Sequence, residues 1–270
     1  MLISGRLPRP FLQIAHAFAL LLLSLSSPSP LWALSPTLPS SPTATEEAYT
    51  FEGGSIETLL PLYSGHRALV AEILRFPLEW DRRLCRAANG IAARFLMEGA
   101  LPPMEVLDEG VWAEGFPGTS IEVAAIRGEI PEAGEGERVR ERLLSPLRSG
   151  GGRAFYGLGL ATARGRHPAF GAIVLLRSAR YFERIHAPRR VRKGEAVRLS
   201  GVLSHPWKGV EALLLDPDGA IRPLPLQEKG RGRISLVIPS LATSGTGYLE
   251  LLGSGRRGAE VLLLLPLAFG

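Results

Sequence analysis

The feature that most constrains this chain is a change of hydrophobic period about halfway along it. Up to about residue 144 apolar side chains recur mainly at helical spacing. Beyond about residue 154 they fall into short runs divided by turns rich in Gly, Pro and Asp. Ser55 to Arg75 reads as a helix with Ile56, Leu59, Leu60, Tyr63, Val70, Ile73 and Leu74 near one face, and Pro61 in its early turns. Asp81 is a good N-cap for a second helix carrying Leu84, Ala88, Ile91, Ala92, Phe95 and Leu96, and Gly99 suits its C-terminal stop. A third helix is expected from Pro103 to about Trp112, a strand over Ser120 to Ile126, and a helix over Glu137 to Leu144. Two strands, Phe155 to Thr162 and Phe170 to Leu176, then form an antiparallel pair. Helices followed by such a pair predict an α+β domain over residues 51–178.

The remainder is all-β in pattern. Ala196 to Leu203, Val210 to Leu215, Ile221 to Leu226, Ile234 to Ile238, Gly247 to Leu252 and Val261 to Leu267 are strand-like. Turns such as Asp216-Pro217-Asp218-Gly219 separate them. So many short strands in so little chain predict an immunoglobulin-like β-sandwich over 194–270. Tyr248, bracketed by Gly247 and Leu249, reads either as a tyrosine corner or as a plain strand tyrosine.

Arg6 and Arg9 precede an apolar run from Phe11 to Leu25, and a Ser/Pro-rich stretch follows. Basic, apolar and polar regions in that order predict a secretory signal peptide over 1–33, with an uncleaved anchor as the alternative. Residues 34–50, rich in Pro, Ser and Thr, are expected to be a disordered leader. After cleavage no transmembrane helix is expected, and the protein is expected to be periplasmic or extracellular. A single Cys, Cys85, excludes an intramolecular disulfide and reads as a buried apolar residue.

The formal net charge is +5 and the pI is about 9.8, which invites a nucleic-acid reading. The distribution argues against it. Loss of Arg6 and Arg9 leaves a mature charge of about +3, while Arg177 to Lys193 alone carries seven basic residues against Glu183. The rest of the mature chain is therefore slightly acidic, and the basicity is one stripe in a linker expected over 179–193. Within it Arg184, Arg189, Arg190, Arg192 and Lys193 are candidate contacts for an anionic cell-envelope glycan or lipid. With export expected, no nucleic-acid partner is expected.

Other chemistry finds little support. His66, His167, His186 and His205 follow no nucleophile elbow. No His pair falls at metal-ligand spacing, so neither a metal nor a cofactor is expected. Asp216 and Asp218 form a turn before Gly219. Gly157 and Gly159 make a lone G-x-G, which is better read as room for a helix packed on the strand pair than as a nucleotide loop.

Several segments of the first domain occur in a familiar order. Leu84 to Ala93 reads L-x-x-A-A-x-x-I-A-A, followed by E-G-F at Glu114 to Phe116 and S-I-E-V-A at Ser120 to Ala124. Then come L-L-S-P-L-R at Leu143 to Arg148 and F-Y-G-L-G-L-A at Phe155 to Ala161. This resembles the CAP superfamily (cysteine-rich secretory proteins, antigen 5 and pathogenesis-related proteins) in its short bacterial form, over about Leu60 to Arg177. The resemblance implies an α–β–α sandwich, export, and a shallow cleft often lined by two His and two acids. Glu122 matches the family's Glu, with Ile121 and Val123 in place of its flanking Gly and Asn. Arg148 matches the Arg after the second His, but Leu147 stands where that His would be. Ala100 to Pro103 supplies no first His. The implied cleft residues are thus Glu122 and Arg148, with no catalytic set.

The leading expectation is an exported, non-catalytic binding or envelope-associated protein. A hydrolase acting on envelope polymer through carboxylates, with Glu122 and Glu129 as its pair, is one alternative. An adhesion or sorting protein using the sandwich is another.

Overall fold

A computed structural model describes residues 3–5, 48–63, 65–147, 153–165, 169–255 and 258–270. Most of the expected signal peptide and leader, the Ser149 to Gly152 turn, Arg148 and His167-Pro168 lie outside the described residues. The fold is mixed α+β: the described residues form five helices and three five-stranded sheets.

The first sheet is mixed, in the order β1 (Ile3–Gly5), β4 (Glu122–Glu129), β6 (Phe170–Ala179), β5 (Ala154–Thr162) and β3 (Glu79–Trp80). Its centre, β4-β6-β5, is antiparallel, and β3 adds in parallel. The helices are α1 (Ile56–Leu59), α2 (Arg67–Leu74), α3 (Arg82–Glu98), α4 (Met104–Ala113) and α5 (Gly136–Leu144). Strand alternation divides the sheet's side chains between two clusters. Val123, Ala125, Phe155, Val174 and Leu176 meet α3 and α4. Ala124, Leu158, Ile173 and Leu175 meet α1, α2 and α5.

Asp81 caps α3 as its sequence position predicts. Its carboxylate accepts hydrogen bonds from the backbone N–H of Arg83 (2.9 Å) and Leu84 (3.1 Å), and also from that of Glu52 (2.6 Å). Burial pushes this carboxyl up to about 7, against the opposing pull of those donors. Asp81→Ala would leave three donors unmatched, two of them buried. We expect a loss of about 1–3 kcal/mol in urea denaturation. A loss below about 0.5 kcal/mol would show that water replaces the cap.

The helix expected over Ser55 to Arg75 is instead two. A 3-10 turn, Leu60–Leu62, follows α1, Tyr63 is extended, and His66 is left-handed (φ 51°) before α2. The extended Tyr63 lets its hydroxyl donate to the Leu158 carbonyl at 2.7 Å, tying this corner to β5.

The other two sheets run β11-β10-β14-β15-β8 and β12-β13-β9-β7-β2 and share one apolar core. The strands are β2 (Ala48–Tyr49), β7 (Phe182–Pro188), β8 (Arg190–Val191), β9 (Val197–Leu203), β10 (Lys208–Leu215), β11 (Ile221–Leu224), β12 (Leu226–Lys229), β13 (Arg233–Ile238), β14 (Gly245–Gly255) and β15 (Gly258–Phe269). Three features here differ from what the sequence predicts. The stretch 179–193, expected as a linker, supplies β7 and β8, with Phe182, Ile185, Ala187 and Val191 in the shared core. Ala48 and Tyr49, expected in the disordered leader, pair with Ala187 and Pro188 of β7. The run Ile221 to Leu226 is also two strands in different sheets, split at Pro225, which has no N–H to donate to a ladder. The hydroxyl tie across the paired sheets comes from Tyr49, which donates to the Pro266 carbonyl at 2.9 Å. Tyr248 instead sets its ring edge-on to Trp112 of α4.

Candidate functional site

Glu122 opens β4 directly across from Arg177 of β6. The Arg177 guanidinium donates to its Oε2 at 3.1 Å, with the two side chains 6% and 16% exposed for Arg177 and Glu122. Glu122 is therefore not a solvent-facing strand carboxylate. It is enclosed, and its charge is matched by a cation held in register. Tyr156 and Trp80 continue the same row of the sheet. Arg148 lies outside the described residues.

Beside this pair the first sheet meets the paired sheets. Tyr181 lies near Ser120, Arg177, Glu122 and Glu260, and burial raises its hydroxyl above the usual tyrosine range. Its ring stacks edge-on with Trp207, which in turn meets His205. Cys85 is fully buried, and burial pushes its thiol up to about 12, so it is no nucleophile. Among the described residues no three His, Cys, Asp or Glu side chains are grouped to hold a metal ion. No helix among them is long and apolar enough to cross a membrane.

The basic stripe resolves into three parts. Arg177 holds Glu122, and Arg180 bonds to Glu79 and Glu183 while lying 5.1 Å over the Phe155 ring. Arg189 donates to the Ala113 carbonyl (3.0 Å) and sits over the Tyr49 ring. These three hold the molecule together. Arg190, Arg192 and Lys193 are exposed on β8 and the turn after it. Arg184 faces out from β7 into a groove of about 640 Å³ on the outer face of the sheet β12-β13-β9-β7-β2.

That groove brings together residues far apart in the chain. Register places Arg184 of β7 and Arg233 of β13 on either side of Val202 of β9, with Lys229 of β12 next to Arg233. Two residues along, His186, Ser200 and Ser235 form a second row across the same three strands. Arg198 stands two residues beyond, next to Val237. Among the described residues Arg184, Arg198, Lys229 and Arg233 form no ion pair. Among the described residues the one acid lining the groove, Glu183, is bound to Arg153 and Arg180.

Three of these cations, Arg198, Lys229 and Arg233, are not part of the contiguous basic stripe. A signal was present. Arg184-Ile185-His186, Arg198-Leu199-Ser200 and Arg233-Ile234-Ser235 share one pattern, a cation and a hydrogen-bonding side chain flanking an apolar residue. Period-two alternation puts both polar residues of each triplet outside and the apolar one in the core. Which strands lie side by side is what that pattern does not reveal.

No protein-family description matches the chain, and neither does any curated protein. Ten solved chains match in structure. They include a DUF4785 family protein from Legionella pneumophila, with a TM-score of 0.27 and 13% sequence identity over 37% of this chain. The match spans 32% of that protein, about a third of its length, and is too slight to carry any inference about fold or function.

Proposed function

We propose that this is an exported, non-catalytic binding protein of the cell envelope. Its helix-flanked sheet is a CAP-like α–β–α domain without the family histidines, and its paired sheets are an immunoglobulin-like sandwich. The observation that carries the reading is the Glu122–Arg177 pair. The single acid that the resemblance places in the cleft is enclosed and bound to an arginine, so it is not poised to hold a metal or move a proton. Helices on both faces of an antiparallel β4-β6-β5 centre also accord with it.

The hydrolase alternative needs two carboxylates facing one cleft. Glu129, the partner considered for Glu122, closes the far end of the same strand, seven residues away. At about 3.4 Å per residue that separation is more than 20 Å, far beyond the reach of a catalytic pair.

The test uses the purified protein with Zn²⁺ and with isolated envelope polymer. We expect no Zn²⁺-dependent rise in melting temperature and no release of reducing ends. A rise abolished by Glu122→Ala, or cleavage abolished by Glu122→Gln, would overturn the reading.

A further inference from the structure

We infer that the groove on the outer face of β12-β13-β9-β7 is a binding site for a linear anionic glycan, one chain wide. The inference rests on the reading of the protein as an envelope-binding module, and it adds the place and the chemistry of binding.

The lining is arranged in three parallel rows. The middle row, His186, Ser200 and Ser235, is short and offers hydroxyl and imidazole partners. Arg184, Arg233 and Lys229 stand on one side of it, and Arg198 on the other. Neighbouring strands are about 4.8 Å apart and successive outward residues about 6.8 Å, so each cationic row lies about 7 Å from the middle one. Arg184 and Arg233 lie about 10 Å apart across two strand spacings. A polymer lying across the strands along the middle row meets hydrogen-bonding groups beneath it and cations along both flanks. A chain of sugar rings has hydroxyls for the former and carboxylates or phosphodiesters for the latter. Arginine's planar fork accepts either anion in a two-point contact.

The same lining disfavours other polyanions. Single-stranded nucleic acid needs aromatic faces for its bases. The phenyl ring at this groove, Phe51, is already packed against Phe116 and Phe155. A bilayer is met by protruding apolar and basic side chains on a face that can lie flat on it. Here the charges flank a concavity, and Val202 between them is half-buried.

Two labelled probes separate the sources of charge: an oligogalacturonate carries carboxylates, and an oligo(glycerol phosphate) carries phosphodiesters. Fluorescence anisotropy should show binding of at least one, weakening as salt rises. Arg198→Gln with Arg233→Gln should weaken it at least about tenfold, because two charge-assisted contacts are lost. Arg190→Gln with Arg192→Gln, outside the groove, should leave it unchanged. All replaced side chains are exposed, and an unchanged melting temperature confirms the fold. If the Arg198/Arg233 variant fails to fold, Arg184→Gln with Lys229→Gln serves in its place. Failure to bind either probe, equal binding by the groove variant, or equal binding of a neutral dextran oligomer would overturn the inference. So would tighter binding of phosphatidylglycerol vesicles or oligothymidylate. Cleavage of a bound probe by the wild-type protein would refute the non-catalytic reading alone, because the arginine dependence of binding would still stand.

Discussion

Gly159→Ala is expected to lower stability by about 3 kcal/mol or more, a large part of what a domain of this kind possesses. A Cβ at Gly159 would lie 2.1 Å from the Ala88 carbonyl oxygen and 2.7 Å from the Asn89 nitrogen, both backbone atoms of α3. Gly157, one turn of the pleat earlier, has the Leu84 carbonyl at 2.5 Å. No rotamer change relieves a clash with backbone, so α3 would have to lift from β5 and open both apolar clusters. Gly90→Ala makes the same chemical change on the exposed side of α3, where a Cβ meets nothing within 4 Å. It should stabilise by about 0.5–1 kcal/mol through helix propensity. Urea denaturation of the two variants should move the midpoint in opposite directions. A Gly159→Ala midpoint within error of wild type would show that the helix does not sit this close.

The second large effect is a pH dependence set by Glu250. It lies on β14 between Leu213 of β10 and Leu264 of β15, is 1% exposed, and its Oε2 accepts no hydrogen bond among the described residues. Burial among these neighbours pushes its carboxyl up from 4.5 to about 7. The folded protein therefore keeps the proton over a window in which the unfolded chain has lost it. Below about pH 4.5 both forms are protonated and Glu250 contributes no difference. As pH rises towards 7 the folded state loses ground, by up to about 3 kcal/mol above that value. Glu250→Gln should match wild type near pH 4 and melt several degrees higher near pH 8. A variant that melts lower at both ends would mean that the carboxylate has a compensating partner.

These two positions show how far local pattern reaches. Gly157 and Gly159 were legible because an apolar strand with alternating glycines beside a helical run has few uses other than close packing. The Asp81 cap and the Gly99 stop were legible for the same reason: each is satisfied by atoms a few residues away. Glu250 was not. Alternation with the core residues Leu249 and Leu251 puts it on a face that a two-sheet core would leave to water, yet it is 1% exposed. The Glu122 ion pair was not legible either, because its partner Arg177 is fifty-five residues distant. The groove failed to appear because its cations come from four strands whose order is fixed by core packing. Contiguity in sequence singled out Arg190, Arg192 and Lys193, which do not line it.

Strand β2 has a consequence for the order in which the molecule can be completed. The Tyr49 hydroxyl is held by Pro266, 217 residues later, and Lys193 and Val191 are bonded to Gly270. The ladder partner of β2 is β7, but the Tyr49 tie waits for β15, and closing so long a loop is slow. The molecule also resists division, since a fragment cut at residue 178 takes away the partner of β2 and a fragment begun there leaves β7 as a bare edge.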